Sequence, residues 1–362
     1  MKHLHSWSKR LIAGSLLVIA PLLAFPTAQA ADTQDSAHEL YSQSLELMQK
    51  QDFPGALSLL NQAIELEPER ASLYGQRGTI YLNLQEFQLA LADFTTIIEK
   101  IPENPQAYGL RALAYANLEQ YPQALADLNQ ALTLAPENPS YYYRRGLVQD
   151  RLHNQEEAIT DFTMAIMCAP DFPDSYYQRS LCFIRNKDYE RALVDIQQAT
   201  SLKPDYIPYL STRAFISAQQ KDTKQALADY DTILGLDPQN EAALANSGVI
   251  YSDKKKYDQA QKAFSACLQI NPQNVSALNG NAAMFLAQNK VPEALTLLNQ
   301  AIAAEPDYSD SYYYLAQAYE TQGKTAEAIA ACQDFLRRAA YNDYNHVEEI
   351  QTKLAQLQAT QN

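Results

Sequence analysis

Five arginines and five aspartates recur in this sequence at a fixed spacing. For an arginine at position i, the next arginine lies at i + 34 and an aspartate lies at i + 16. The arginines are Arg77, Arg111, Arg145, Arg179 and Arg213, and the aspartates are Asp93, Asp127, Asp161, Asp195 and Asp229. A forked guanidinium fits a carboxylate through two parallel hydrogen bonds. The spacing therefore predicts a set of ion pairs that repeat one local geometry along the chain.

Residues that usually carry out catalysis or bind metals show no such order. His38, His153 and His346 are the histidines beyond residue 30, and they lie far apart in the chain. The sequence has no phosphate-binding glycine loop, no zinc-protease helix motif and no serine elbow. Of its four cysteines, Cys267 and Cys332 fit as small buried residues, although an even number leaves disulfides open. The sequence therefore predicts a protein that is not an enzyme and uses no metal or cofactor.

The charged residues belong to a longer pattern that fills most of the chain. Prolines recur with the same period, and for a proline at position i an alanine lies at i − 12. The prolines are Pro68, Pro102, Pro136, Pro170, Pro204, Pro238, Pro272 and Pro306. Proline in a helix interior removes a hydrogen bond and clashes with the preceding turn, so these prolines must separate helices. The pattern predicts a repeated helical unit.

This pattern resembles the tetratricopeptide repeat family, whose unit is two antiparallel helices, A and B. The family has small residues at positions 8 and 20 and a proline at position 32, which here correspond to residues such as Gly78, Ala90 and Pro102. Nine repeats cover residues 37–342, and the ninth departs from the pattern with Ala340 at position 32. They are 37–70, 71–104, 105–138, 139–172, 173–206, 207–240, 241–274, 275–308 and 309–342. The resemblance implies an all-α, right-handed superhelical solenoid.

Residues 1–36 precede the repeats. A basic start, an apolar run and the sequence Ala28-Gln29-Ala30 are typical of a secretory signal peptide over residues 1–30, cleaved after Ala30. An uncleaved membrane anchor is the alternative, but the apolar run is shorter than the roughly 20 residues that span a bilayer. Residues 31–36 are small and polar, which suggests a short spacer. We therefore expect an exported protein, periplasmic or secreted, with no membrane span after cleavage.

Residues 343–362 follow the repeats. Apolar Val347, Ile350, Leu354 and Leu357 recur there at helical spacing, which predicts an amphipathic helix. The end of a stacked array exposes core surface, so this helix is expected to cap the ninth repeat. A separate partner-binding helix is the alternative.

The chain is acidic, with a formal net charge of −14. Cleavage would remove three basic residues and no acidic ones, so the mature protein would carry −17. Nucleic-acid binding requires a clustered basic face, and an acidic chain repels anionic lipid surfaces. Both partner classes are therefore disfavoured.

The arginine at position 7 can reach an aspartate at position 23 in its own repeat or in the preceding one. Repeats 1, 7 and 8 have neither charge. Pairing inside repeats leaves no charge alone, whereas pairing between repeats places Asp229 opposite Ser247 and Arg77 opposite Leu59. We therefore predict pairs inside repeats. The alternative is that duplication preserved the charges without an energetic effect.

The resemblance also implies a binding surface, because the concave face of such arrays is lined by helix A, largely at positions 2, 5, 9, 12 and 13. The candidate groove residues are Leu113, Tyr143, Leu147, Arg151, Tyr177, Leu181, Arg185 and Phe215. An apolar floor with aromatic and arginine side chains suits a protein or peptide partner. The alternative for position 9 is packing between neighbouring A helices. The lysine and asparagine pattern that grips a terminal carboxylate in related proteins is missing, which disfavours that ligand class.

Together these features predict a non-enzymatic protein–protein interaction scaffold of the cell envelope, with the partner in the concave groove. The alternative is a structural assembly protein that self-associates through array ends or convex faces, and the sequence leaves the oligomeric state open.

Overall fold

The computed structural model describes residues 28–339 and 346–361, and these residues form helices joined by short turns. The helices are α1 (Ala28–Gln49), α2 (Phe53–Leu66), α3 (Ala71–Asn83), α4 (Phe87–Lys100), α5 (Pro105–Asn117), α6 (Tyr121–Leu134), α7 (Pro139–Arg151), α8 (Gln155–Cys168), α9 (Pro173–Arg185), α10 (Tyr189–Leu202), α11 (Ile207–Gln219), α12 (Thr223–Leu236), α13 (Glu241–Asp253), α14 (Tyr257–Ile270), α15 (Val275–Ala287), α16 (Val291–Ala304), α17 (Ser309–Thr321), α18 (Thr325–Ala339) and α19 (Val347–Gln361). The all-α prediction is confirmed, and odd-numbered α1–α17 are the A helices of the nine repeats.

Proline and asparagine begin several A helices. Pro105 is the first residue of α5, where its missing N–H would have no partner inside the helix anyway. Just before it, the Asn104 side chain accepts a hydrogen bond from the backbone N–H of Ala107 at 3.0 Å. Asn240 caps α13 in the same way, through Ala243. Such caps satisfy backbone N–H groups that the helix itself cannot bond.

The turn between helices A and B uses a left-handed residue at position 15 of each repeat. Eight of these residues are not glycine, with φ between 58° and 63°. They are Gln51, Gln85, Glu119, His153, Lys187, Lys221, Lys255 and Asn289. The ninth repeat has Gly323, with φ of 70°. A left-handed backbone strains residues that have a Cβ atom, so these turns carry a small repeated cost.

Two compact parts divide the chain, residues 1–182 and residues 183–362, with the boundary inside α9. In the N-terminal part consecutive helices pack against each other from α1 through α8. Its core has fully buried alanines at position 20, among them Ala56, Ala90 and Ala124. Small residues there allow the two helices of a repeat to approach each other closely.

The C-terminal part has the same stacked hairpins, from α10 to α18, followed by α19. Ile350 of α19 is fully buried in the core of the ninth repeat, and Val347, Leu354 and Leu357 pack against the same cluster. Val347–Gln361 is therefore the capping helix that the apolar spacing predicted.

The start of the first helix differs from the prediction. Residues 31–36, expected as a spacer, lie inside α1, which begins at Ala28. The stretch 28–36 contains three alanines and neither proline nor glycine, and alanine is the strongest helix former. Residues 1–27 of the predicted signal peptide lie outside the described residues. Among the helices that the structure describes, none combines the length and apolarity needed to cross a membrane.

Candidate functional site

The arginine at position 7 binds the aspartate at position 23 of its own repeat. Arg77 donates from Nη2 to Asp93 Oδ1 at 2.6 Å and from Nε to Asp93 Oδ2 at 2.9 Å. The same two-bond geometry joins Arg111 to Asp127, Arg145 to Asp161 and Arg213 to Asp229, with Nη2–Oδ1 distances of 2.8, 2.7 and 2.6 Å. Arg179 and Asp195 belong to different compact parts, so their pairing stays a prediction.

These aspartates are buried, whereas the arginines keep some contact with solvent. Asp93 is 3% exposed, and burial raises the pKa of its carboxyl above the ordinary value although the hydrogen bonds from Arg77 oppose that rise. The hydrogen bond to Asp93 in turn raises the pKa of Arg77. The guanidinium therefore compensates a carboxylate that its surroundings would otherwise disfavour.

Each of these arginines also reaches the preceding repeat, which sequence reasoning missed. Nη1 of Arg77 donates to Asn61 Oδ1 at 2.7 Å, and Nη1 of Arg145 donates to Asn129 Oδ1 at 2.7 Å. Corresponding bonds run from Arg111 to Thr95, from Arg179 to Thr163 and from Arg213 to Thr200. Most of these acceptors occupy position 25 of the repeat that precedes the arginine. That regular polar position was a visible signal in the sequence. The arginines thus link successive repeats, and their role is structural.

A concave pocket opens between the A helices of repeats 3 and 4. Its empty volume, including the space open to solvent, is about 720 Å³. It is lined by Ala112, Leu113, Ala116, Tyr121, Leu128, Arg144, Leu147, Val148, Asp150, Arg151 and Gln178. Three predicted groove residues, Leu113, Leu147 and Arg151, therefore come together here. Their neighbours are mostly apolar, with two arginines and one aspartate at the edges.

The predicted aromatic walls do not line this pocket. Tyr177 is only 7% exposed. The ring of Tyr143 packs against Phe162 and Phe172, with centroid distances of 6.0 and 5.0 Å. Both tyrosines occupy position 5 of helix A. Their role as walls of a binding groove stays a prediction.

In two other repeats, position 5 lies against the next A helix, at its position 3. The ring of Tyr141 covers Gly109, where an added Cβ atom would come within 2.5 Å of Tyr141 Cε1. In the C-terminal part the amide of Asn279, also at position 5, donates to Ser311 Oγ at 2.9 Å. Position 5 therefore belongs to the packing between repeats.

The other three predicted groove residues are placed separately. Leu181 is partly buried in the N-terminal part and does not line the pocket. Arg185 and Phe215 belong to the C-terminal part, where Arg185 is exposed and Phe215 packs edge-on against Tyr189 at 6.3 Å. Their participation in a binding surface stays a prediction.

Arg144, at position 6 of repeat 4, lines the pocket and was not among the predicted residues. Its Nη1 donates to the backbone oxygen of Gly109 at 2.9 Å. Within the described residues it has no ion-pair partner, and burial lowers the pKa of its guanidinium. Counting charges could have found it, because Arg144 and Arg145 are adjacent and the repeat pattern supplies only one aspartate for the pair.

The cysteines do not form disulfides in the structure. Cys182, Cys267 and Cys332 are buried, Cys168 is partly exposed, and none of the four is bonded to another cysteine. Burial raises the pKa of Cys267 to about 11, so its thiol stays protonated and unreactive near neutral pH. Among the described residues no group of three or more His, Cys, Asp or Glu side chains is placed to hold a metal ion.

Known structures with related folds were found at low sequence identity. A Pseudomonas aeruginosa PilF structure has a TM-score of 0.52 and 15% identity, covering 59% of this chain and 96% of that one. A Cut9–Hcn1 hetero-tetramer of the APC/C has a TM-score of 0.51 and 16% identity, covering 74% of this chain and 52% of that one. These similarities show the fold alone. No curated protein matches the sequence significantly.

Family profiles of the tetratricopeptide repeat match most of the chain. The matched residues are 46–114, 112–152, 173–206, 217–280, 251–305 and 281–343. These segments coincide with the helical hairpins of the structure and with the proline period of the sequence. The chain therefore belongs to the tetratricopeptide repeat family.

Proposed function

We propose that this protein is a non-enzymatic scaffold of the cell envelope that holds a partner protein or peptide in the pocket between repeats 3 and 4. Tetratricopeptide repeat proteins bind protein or peptide partners, so a role in protein–protein interaction follows from the family. The choice of this pocket, the envelope location and the absence of catalysis are our proposals.

The pocket is the observation that carries the proposal. Leu113 and Leu147 form an apolar floor, and Arg144 and Arg151 lie beside it. Binding sites for peptides and small molecules are typically concave and mostly apolar, with a few polar groups that fix orientation. The side chains come from two packed helices, α5 and α7, so little ordering entropy is lost when a partner binds.

Photocrosslinking in the native cells tests this proposal. A photoreactive amino acid replaces Leu147 in one strain and Val194, which is 67% exposed on a B helix, in a control strain. We expect a discrete crosslinked partner from position 147 and none from position 194. Equal labelling from both positions, or a product only between copies of this chain, would argue against a partner in the pocket. The second result would favour self-association.

The envelope location has its own test. The sequence of residues 1–30 supports export, and the expected mature N-terminus is Ala31. Mass spectrometry of the protein purified from the envelope fraction should show that N-terminus. A full-length protein in the cytoplasmic fraction would disprove the location without affecting the pocket.

A further inference from the structure

The pocket contains an arginine, Arg144, that forms no ion pair within the described residues. Arg144 and Arg145 are neighbours in α7, and in the part of the chain that the structure describes Arg145 alone of the two has a carboxylate partner, Asp161. The hydrogen bond of Arg144 goes to the carbonyl oxygen of Gly109, which carries no formal charge. Most of its donors therefore remain available, because a guanidinium has five N–H groups.

The surroundings of Arg144 disfavour its charge. Burial lowers the pKa of its guanidinium, whereas the hydrogen bonds that Arg77 and Arg111 donate to their partner aspartates raise the pKa values of those two arginines. Taking a cation out of water costs free energy unless an anion is paired with it. An anionic group from outside the chain would supply what Arg144 lacks.

The pocket also determines what accompanies that anion. Leu113, Leu147 and Val148 lie beside Arg144, with the small Ala112 and Ala116 between the helices. These side chains provide space and apolar contact for one aliphatic side chain. Asp150 on the same lining already accepts a hydrogen bond from the Cys182 thiol at 3.7 Å. An acidic residue next to a large aliphatic residue matches this arrangement.

We propose that the pocket binds an internal peptide segment in which an aspartate or glutamate is adjacent to leucine, isoleucine or methionine. The carboxylate accepts hydrogen bonds from Arg144, and the aliphatic side chain packs on Leu113 and Leu147. An internal segment is chosen over a chain end because the A helices lack the lysine and asparagine pattern that grips a terminal carboxylate. At position 5, for example, this chain has Gly75 and Gly109 and not lysine. This inference rests on the proposed function and specifies its ligand.

Selection from a peptide library tests the inference. A library of random dodecapeptides, displayed with both ends fused so that no peptide carboxylate is free, is selected on the mature protein. The same library is selected on Arg144→Gln, on Leu147→Ala and on a charge-matched control, Arg191→Gln, whose arginine is exposed on α10. We expect the wild type and the control to enrich acidic residues next to aliphatic ones. Arg144→Gln should lose only the acidic preference, and Leu147→Ala the aliphatic one.

Affinity measurements make the expectation quantitative. A selected peptide is labelled, and its binding is followed by fluorescence anisotropy. We expect Arg144→Gln to weaken binding roughly 10- to 100-fold, which corresponds to the loss of hydrogen bonds to a charged group. Changing glutamate to glutamine in the peptide should weaken binding to the wild type equally, with little further effect on Arg144→Gln. Circular dichroism and thermal unfolding check that each variant is folded.

The outcomes separate the inference from the proposed function. Enrichment of peptides without an acidic preference, or unchanged binding by folded Arg144→Gln, would overturn the inference and leave the scaffold proposal intact. Peptides that bind only with a free terminal carboxylate would also overturn it. If the wild type enriches nothing while partner crosslinks form at Leu147, a short internal peptide is the wrong ligand. If both fail, the pocket function itself is wrong.

Discussion

Replacing Arg77 by glutamine should destabilise the N-terminal part by about 3 kcal/mol, because it leaves a buried charge without its partner. Asp93 is 3% exposed and accepts two hydrogen bonds from Arg77. The change also removes the bond from Arg77 to Asn61, which links repeat 2 to repeat 1 and contributes about 1 kcal/mol. Asp93→Leu should cost less, about 2 kcal/mol, because Arg77 is partly exposed and can be hydrated.

The double variant Arg77→Gln with Asp93→Leu provides the decisive comparison. It reproduces residues that repeat 1 already has at these positions, Gln43 and Leu59. Replacing a buried ion pair by neutral residues is often close to neutral. We therefore expect the double variant to be more stable than Arg77→Gln alone, with a coupling free energy of about 2 kcal/mol or more.

The effect of pH follows from Asp93. Burial already raises the pKa of its carboxyl, and Arg77→Gln removes the hydrogen bonds that oppose that rise. A group whose pKa is raised on folding favours the folded state at low pH, and this contribution is lost as the pH rises through the folded pKa. The stability deficit of Arg77→Gln should therefore grow between about pH 4 and pH 7. Lys262→Gln, at an exposed lysine, should show no such trend.

Native-state amide hydrogen exchange of residues 71–100 is the appropriate assay, because stacked repeats can open locally. The single variants should lower the opening free energies of α3 and α4 at pH 7. If the two single effects add to the effect of the double variant within about 0.5 kcal/mol, the pair is not coupled. The charges would then be an inherited pattern without energetic consequence.

Three further predictions concern the turns, the core and the cap. Lys221→Gly should raise the free energy of unfolding by up to about 1 kcal/mol, since its φ of 63° favours glycine, and Gly323→Lys should lower it, both by denaturant titration. Burial raises the pKa of Tyr230 to about 12, so the unfolded tyrosine loses its proton first and stability falls as the pH rises above 10. The free energy of unfolding of the wild type should fall by about 2 kcal/mol between pH 10 and pH 12 because of Tyr230, and Tyr230→Phe should remove that fall. If wild type and variant lose stability equally over this pH range, the reasoning is contradicted. Ile350→Ala should cost about 2 to 4 kcal/mol and increase hydrogen exchange in α17 and α18, whereas Glu348→Ala on the exposed face should do neither.

Most of the fold was predictable because the repeat supplies its own internal comparison. Proline at position 32 and alanine at position 20 fix the helix boundaries and the closest approach of the two helices. The first helix was harder to place. Nothing in the period marks its start, and residues 31–36 continue α1 because they contain no helix breaker. Counting back from Pro68 places the first repeat at residue 37, but it does not show whether the residues before 37 are helical.

The candidate site was less predictable, because the partner of a helix face depends on the neighbouring repeat. Tyr143 and Tyr177 occupy a position that resembles a groove wall when one repeat is considered alone. The space at position 5 is instead shared with position 3 of the next repeat, as Gly109 and Tyr141 show. A pattern that compares equal positions along the chain does not reveal a size match between different positions of successive repeats.

The arginine contacts show what each arginine of the series requires. An arginine in one repeat needs an aspartate in that repeat and an oxygen on the B helix before it. Repeat 1 lacks the pair itself, with Gln43 and Leu59, but supplies Asn61 to Arg77. The polar acceptors on the B helices therefore begin in repeat 1, whereas the arginine–aspartate pairs begin in repeat 2. This offset is expected when each arginine pairs inside its own repeat and also donates to the repeat before it. Removing the acceptor alone, with Asn129→Ala, should weaken the contact between repeats 3 and 4 by about 1 kcal/mol while the bonds from Arg145 to Asp161 persist. Loss of both contacts in that variant would show that the carboxylate pairing depends on the neighbouring repeat.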